Sequence, residues 1–188
     1  DLLAKELNVP MDSCKHIRIP DNMYIWATMN SADQGVFPMD TAFKRRWNFE
    51  YLGINDNEDE IKGIGKLTLA GMDEPIEWNR LRKAINAKMS SGDFKINEDK
   101  LMGPFFLSKK VIASDENGEI IDREKFIKAF KSKVIMYLYE DAVKQGKHRF
   151  FDGCPDTGKY SSVCDAFKTM GLAIFGPTFK ESFYDKED

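Results

Sequence analysis

Cysteine and histidine are scarce in this sequence. Three cysteines, Cys14, Cys154 and Cys164, and two histidines are spread through 188 residues. An odd, widely spaced set with no C-x-x-C pair argues against a disulfide framework and points to free thiols in a reducing, cytoplasmic setting. A metal site built from His148, Cys154 and Cys164 would need tighter paired spacing than these residues offer, so no metal is expected. Long hydrophobic runs are also missing. No stretch approaches the roughly 20 apolar residues of a membrane span, and no charged-then-apolar leader opens the chain. Nor does one sign of charge dominate: 28 Lys+Arg stand against 31 Asp+Glu, a net charge of -3. That balance gives no global pull toward nucleic acid or membrane, while leaving room for a local basic patch. Internal repeats and low-complexity tracts are absent.

What is present reads as a globular chain, with 42% hydrophobic and 31% charged residues, long enough for one core plus a small satellite. Pro20, Asp21 and Asn22 punctuate as a turn. The run "MYIWAT", Met23 to Thr28, suits a strand buried on both faces of a parallel sheet. After the polar stretch "NSADQG", Pro38 suits a first helical turn, and Met39, Phe43 and Trp47 recur at spacing four on one face. That helix ends in Lys44, Arg45 and Arg46, cations that complement its dipole. "NFEYLGI" reads as a second strand, completing one right-handed crossover unit.

From about residue 56 the pattern turns helical. Pro75 to Met89 carries Trp78, Leu81, Ile85 and Met89 on one face, with Gly92 past its end. "DFKINEDKLMGPFFLS" reads as a loop. A helix from the N-cap Asp122 to Gly146 carries Phe126, Phe130, Val134, Tyr137 and Leu138. A last helix, Ser162 to about Phe175, turns Val163, Phe167, Met170 and Ile174 inward, and "ESFYDKED" is expected to fray. The fold class expected is an α/β edge over residues 1–55, of short parallel strands with a crossover helix. A mostly α-helical subdomain over 56–188 follows.

Two motifs bear on chemistry. "GCPDTGK", Gly153 to Lys159, has the spacing of a phosphate-binding loop, but Tyr160 stands where a Ser or Thr must hold Mg²⁺, and no buried strand precedes it. A solvated loop between two helices is the expectation. The stretch around Asn30 is more demanding. A strand would deliver Asn30 at its C-terminal tip, where parallel sheets bind ligands, and its amide could orient a water or touch a phosphate. A helix then ends in Arg45 and Arg46, whose planar forks could reach a nucleotide held by a neighbouring subunit. Spacing alone leaves a plainer reading open: Asn30 and Asp33 as local caps, and the basic run as a solvated face.

The segment from Ile19 to Leu52, with "IPDNMYI", "TMNSAD" and "MDTAFKRRW", closely resembles the sensor-1 to arginine-finger stretch of McrB-type AAA+ NTPases, in the dynein-related and MoxR-like branch. "EDKLMGPFF" is similar to the motif of that family's lid subdomain, and "FKSKVIMYLYEDAV" to the helix after it. The resemblance covers about residues 19 to 143. It implies the C-terminal portion of a AAA+ module, with Asn30 as the sensor amide, Asp33 in the M-N-x-x-D signature, and Arg46 or its rival Arg45 as the finger acting in trans. Asp99 and Lys100, with Asn97 and Glu98, would lie near the nucleotide or a neighbouring protomer. Gln34 stands where the family commonly has arginine, and Lys44 replaces the first of three arginines.

The same resemblance implies a full-length homo-oligomeric ring, a hexamer, using GTP or ATP with Mg²⁺ and driving an McrC-like nuclease subunit, with DNA engaged through regions outside this chain. The residues before Met23 hold neither a glycine-rich loop nor an apolar strand ending in paired acids. The chain is therefore expected to be a fragment, inactive alone and without a tightly bound nucleotide. Two rivals remain: a MoxR-like remodelling ATPase, and a non-hydrolysing interaction module.

Overall fold

The structure, a computed structural model, describes residues 5–10, 12, 19–28 and 40–179. The chain divides into two compact units, Asp1–Phe37 and Pro38–Asp188. The sequence reading placed its boundary at 55/56, whereas here residues 40–55 belong with the helical unit.

In the first unit a turn closes with the Met23 amide donating to the Pro20 carbonyl at 3.0 Å. Residues 23–28 pair with no other described strand, and Met23, Tyr24, Ile25 and Trp26 are exposed, Trp26 at 89%. The expected doubly buried strand is thus not seen among the described residues. An apolar run makes a central strand only when other strands flank it, and this run finds none there.

The second unit begins with one helical turn, Thr41–Lys44 (α1). Phe43 and Trp47 approach at 5.7 Å between ring centroids, as spacing four requires, yet Phe43 remains exposed and α1 buries nothing. "NFEYLGI" forms no strand; Phe49, Tyr51 and Leu52 are exposed. Strand β1 (Lys66–Leu67) pairs antiparallel with β2 (Ile76–Glu77), Leu67 opposite Ile76. That pairing holds Pro75 to Glu77 out of the helix that follows, so α2 runs Trp78–Ser90 rather than from Pro75.

The core grows from apolar stripes at helical spacing. On α2, Trp78, Leu81, Ile85 and Met89 are all buried, as the spacing predicts. The next helix, α3, starts at Arg123, and the Asp122 carboxylate caps it by accepting from the Lys125 amide at 2.9 Å. It is α-helical through Ala129, then widens into π-helical turns over Phe130–Ile135 and Leu138–Ala142. Trp78 meets Phe126 and Phe130 edge-on at 6.4 and 6.5 Å, and Phe130 stacks on Phe167 at 4.7 Å. Such aromatic pairs add directional attraction to the area they bury. Indole Nε1 of Trp78 donates to the Pro104 carbonyl at 3.0 Å, so the buried ring leaves no polar orphan.

A short α4 (Lys147–Phe150) and α5 (Tyr160–Met170) complete the helices. Residues 151–159 join them as a loop. Asp156 accepts from the Gly158 amide and the Ser162 hydroxyl at 2.8 and 2.7 Å, and Gly153 packs on the turn after α5. Gly153 therefore serves close packing, and the Gly158 amide a local turn with Asp156. No described helix is long and apolar enough to cross a membrane.

Candidate functional site

Beside its apolar stripe, α2 carries a second buried stripe that is polar: Asn79, Arg82 and Asn86. Residues three, four and seven apart share a helix face, so these three side chains converge. Arg82 is fully buried. Its Nε and Nη2 donate to Asn79 Oδ1 at 3.1 and 2.6 Å, and Nη1 donates to the carbonyls of Met102 and Ile54 at 2.9 and 3.4 Å. Nη2 also reaches Asn55 Oδ1 at 3.0 Å and forms an ion pair with Glu58 Oε2 at 3.1 Å. Burial pulls the guanidinium's pKa below its ordinary value, and Glu58 pulls it back. Glu58 also accepts from Asn79 Nδ2 at 3.2 Å and Lys83 Nζ at 2.7 Å. The Lys83 hydrogen bond is the main force holding its carboxyl below the usual range, against partial desolvation.

Asn86 closes the clamp. Its Nδ2 donates to the Met102 carbonyl at 2.8 Å, and its Oδ1 accepts from the Met102 amide at 2.9 Å. One backbone position is thereby gripped on both sides, and the exposed turn Glu98–Lys100 projects just before it. A second tether comes from α3: the Tyr137 hydroxyl donates to the Lys100 carbonyl at 2.7 Å. Burial, then Asp141 and Asp99, raise the pKa of that phenol. Tyr51 lies beside Glu98, whose charge raises its pKa. The outcome is a solvent-facing knuckle bearing Asp99 and Lys100, tethered at Lys100 and Met102.

Arg45 and Arg46 follow α1 and are exposed. Arg46 Nη1 donates to the Ala42 carbonyl at 2.6 Å, one turn back, which leaves the rest of its fork outward. Arg45 makes no side-chain hydrogen bond or ion pair with any described residue. Neither arginine bonds to Asp99 or Lys100, so the structure does not join these sequence-predicted residues into one pocket within the chain. Asn30 and Asp33 lie outside the described residues. Among the described residues no three His, Cys, Asp or Glu side chains gather as a metal would require. Cys154 is half-buried, its thiol pushed up to about 11 by burial and then by Asp152 and Asp156, and Cys164 is buried.

Chemically, the described residues offer exposed guanidinium and carboxylate groups, without an assembled nucleophile and base among them. Arginine forks suit bidentate donation to carboxylate or phosphate oxygens. The sequence reading missed the Arg82 clamp. Its signal was there, in Asn79, Arg82 and Asn86 at helical spacing beside an apolar stripe.

With this geometry in hand, comparison with known proteins gives one specific match. The type II restriction enzyme BsuMI component YdiS of Bacillus subtilis (strain 168) is 42% identical over 130 residues, covering 68% of this chain and 33% of that protein. The chain thus spans about a third of the length of the relative it matches. No protein-family model and no solved structure matches the chain. The McrB-type identification is corrected by this result: the chain is similar to a type II restriction enzyme component, not to an McrB-type AAA+ NTPase. The motifs behind that identification are short and describe local geometry, whereas the match runs through most of the chain. What stands is similarity to a restriction-system component.

Proposed function

We propose that this chain acts in a restriction system as part of a multi-subunit component, in the cytoplasm, where the DNA is. The observation that carries this reading is the 42% identity over 130 residues to a restriction enzyme component. Identity at that level over such a length implies a shared fold through the matched segment, but shared fold does not fix chemistry.

The finer reading is that this component uses a nucleoside triphosphate, GTP or ATP with Mg²⁺, at contacts between protomers of a ring, and that a nuclease subunit works with it. Support comes from the exposed arginines after α1. A guanidinium reaching an adjacent protomer's nucleotide would stabilise charge on the transferring phosphoryl group, a contribution of about 10³- to 10⁵-fold where such residues act. Asn30 and Asp33 would serve the nucleotide on their own protomer, and the knuckle of Asp99 and Lys100 would meet a nucleotide or a neighbouring protomer. A second reading, an interaction module without hydrolysis, is favoured by exposed Phe49, Tyr51 and Leu52, a stretch suited to contact.

The test uses the component carrying this chain, in cells challenged with phage and as purified protein. Deleting the chain should abolish restriction, and intact restriction would overturn the proposal. Arg45→Ala and Arg46→Ala separate the finer readings. Under the nucleotide reading, one of them keeps nucleotide binding and lowers turnover by about 10³-fold. Under the module reading, both leave restriction unchanged, and substitutions at Tyr51 and Leu52 weaken it.

A further inference from the structure

The helix α3 presents a second chemically distinct surface. Between Arg123 and Lys133 it carries Arg123, Lys125, Lys128, Lys131 and Lys133 against a single acid, Glu124, in a chain whose net charge is negative. The apolar side of this helix, Phe126, Phe130 and Val134, is buried in the core. Lys125, Lys128 and Lys133 are exposed on the opposite side.

Neighbouring groups account for the other cations. Arg123 Nη1 donates to the Thr68 carbonyl at 2.7 Å. Lys131 is half-buried and lies near Asp165, whose carboxylate also pairs with Lys168 at 2.7 Å. Lys125, Lys128 and Lys133 form no ion pair with any described residue. Three unneutralised ammonium groups on one face repel one another, a configuration that an anionic partner would relieve.

The winding of the helix helps to gather them. In a continuous α-helix, Lys133 would fall toward the side of the helix that packs inward. The π-helical turn over Phe130–Ile135 advances less per residue, which carries Lys133 back toward the line of Lys125 and Lys128. Single π turns within helices recur at functional sites. Eight residues of helix rise by about 12 Å, and one DNA strand presents a phosphate every ~3.4 Å along its axis. The three lysines thus span about three phosphates.

We propose that this face of α3 binds the phosphate backbone of duplex DNA, without reading its sequence. The choice of DNA rests on the restriction reading given above. A membrane surface is disfavoured on geometry, because a helix that binds lipid inserts its apolar side, and here that side is already in the core.

Fluorescence anisotropy with a labelled 25-base-pair duplex, titrated at several salt concentrations, tests this on the purified chain. The wild type should bind with a dissociation constant between about 10⁻⁴ and 10⁻⁶ M near physiological salt, as non-specific contacts do. The triple variant Lys125→Gln, Lys128→Gln, Lys133→Gln should lose tenfold or more at low salt. The slope of log K against log salt should become shallower by about 2.7, three phosphates at ~0.9 each. A control replacing Lys62, Lys95 and Lys110 by Gln, three exposed lysines elsewhere in the unit that form no ion pair with any described residue, should retain the slope.

Absence of binding by the wild type, or an equal loss in the control, overturns the proposal. So does equal or tighter binding to anionic phosphatidylserine vesicles or to duplex RNA. The restriction reading is judged separately, by the phage challenge: a chain that restricts phage without binding duplex in vitro sinks only the proposal for α3.

Discussion

Replacing Arg82 with methionine should loosen the unit that runs from residue 38 to 188 more than any surface change. Methionine roughly matches the length of the arginine stem, so the loss falls on hydrogen bonds and charge rather than on volume. Arg82 is fully buried, with acceptors on Asn79, Asn55, Ile54, Met102 and Glu58. The damage is uneven. Met102 keeps the Asn86 donor, Glu58 keeps Asn79 and Lys83, and Ile54 and Asn55 lie where water can replace the guanidinium. Asn79 Oδ1 loses both of its donors inside the core. Leaving one buried acceptor unmet costs about 1–3 kcal/mol, and breaking a buried ion pair by removing one partner costs about 3–5 kcal/mol. A net loss near 3 kcal/mol follows, because most partners are rescued. With a urea m-value of about 2 kcal/mol/M, the midpoint followed by circular dichroism should fall by roughly 1.5 M. Arg82→Lys should fall between, since an ammonium cannot serve this many fixed acceptors. A midpoint shift under about 0.5 M for the methionine variant, near 1 kcal/mol, would refute the view that this clamp holds the unit together.

Two other perturbations act on the packing of the loop after α4 and on the charge of Glu58. Gly153→Ala would place a Cβ 1.7 Å from the Ala173 carbonyl oxygen, a backbone atom that cannot swing aside. A loss of about 1–3 kcal/mol in thermal or urea unfolding is expected, and wild-type stability would show that residues 151–159 do not pack on the turn after α5. Glu58 is held below its ordinary pKa of 4.5 when folded. Its contribution is therefore fully present above that value and is lost as pH falls through the lower folded value. Unfolding midpoints measured from pH 6 to pH 3 should drop less steeply in Glu58→Gln than in the wild type, and an unchanged slope would count against the ion pair with Arg82.

The helices were legible from the sequence wherever a local rule governs them. Trp78, Leu81, Ile85 and Met89 repeat at helical spacing, and burial of that stripe is what the helix exists to achieve. Asp122 announced its helix because a short carboxylate before a helical run captures a free amide, as its bond to Lys125 shows. The tempting "GCPDTGK" also yielded to context, since no strand precedes it. Non-local features were harder. The run Met23 to Thr28 has strand-like composition, but strand formation depends on partners elsewhere in the chain, and composition does not supply them. The start of α2 shifted because Ile76 and Glu77 pair with β1, ten residues upstream. The π turns of α3 leave no mark that spacing rules detect. As for the candidate site, the sequence singles out Arg45, Arg46, Asp99 and Lys100 as chemistry-bearing, but spacing does not disclose that no bond joins them within one chain.

Arg82 shows best why a sequence conceals such a feature. Charged residues at helical spacing are ordinarily read as a solvated face, and only the position of the 54–58 and 102 backbone turns this one into an interior anchor. Stability alone gives a weak reason for burying a guanidinium, because well-packed apolar replacements for buried ion pairs are often neutral or stabilising when all partners change together. Position gives a stronger one. Apolar packing is non-directional, whereas a bond from Nη1 to the Met102 carbonyl, paired with the two from Asn86, fixes where the backbone sits and which way it faces. The residues so placed are Glu98, Asp99 and Lys100, on the surface and tied again by Tyr137 from α3. The grip also satisfies the amide and carbonyl of a fully buried residue, Met102, so one pair of side-chain bonds both meets the backbone's need and sets the course of the connection between α2 and α3.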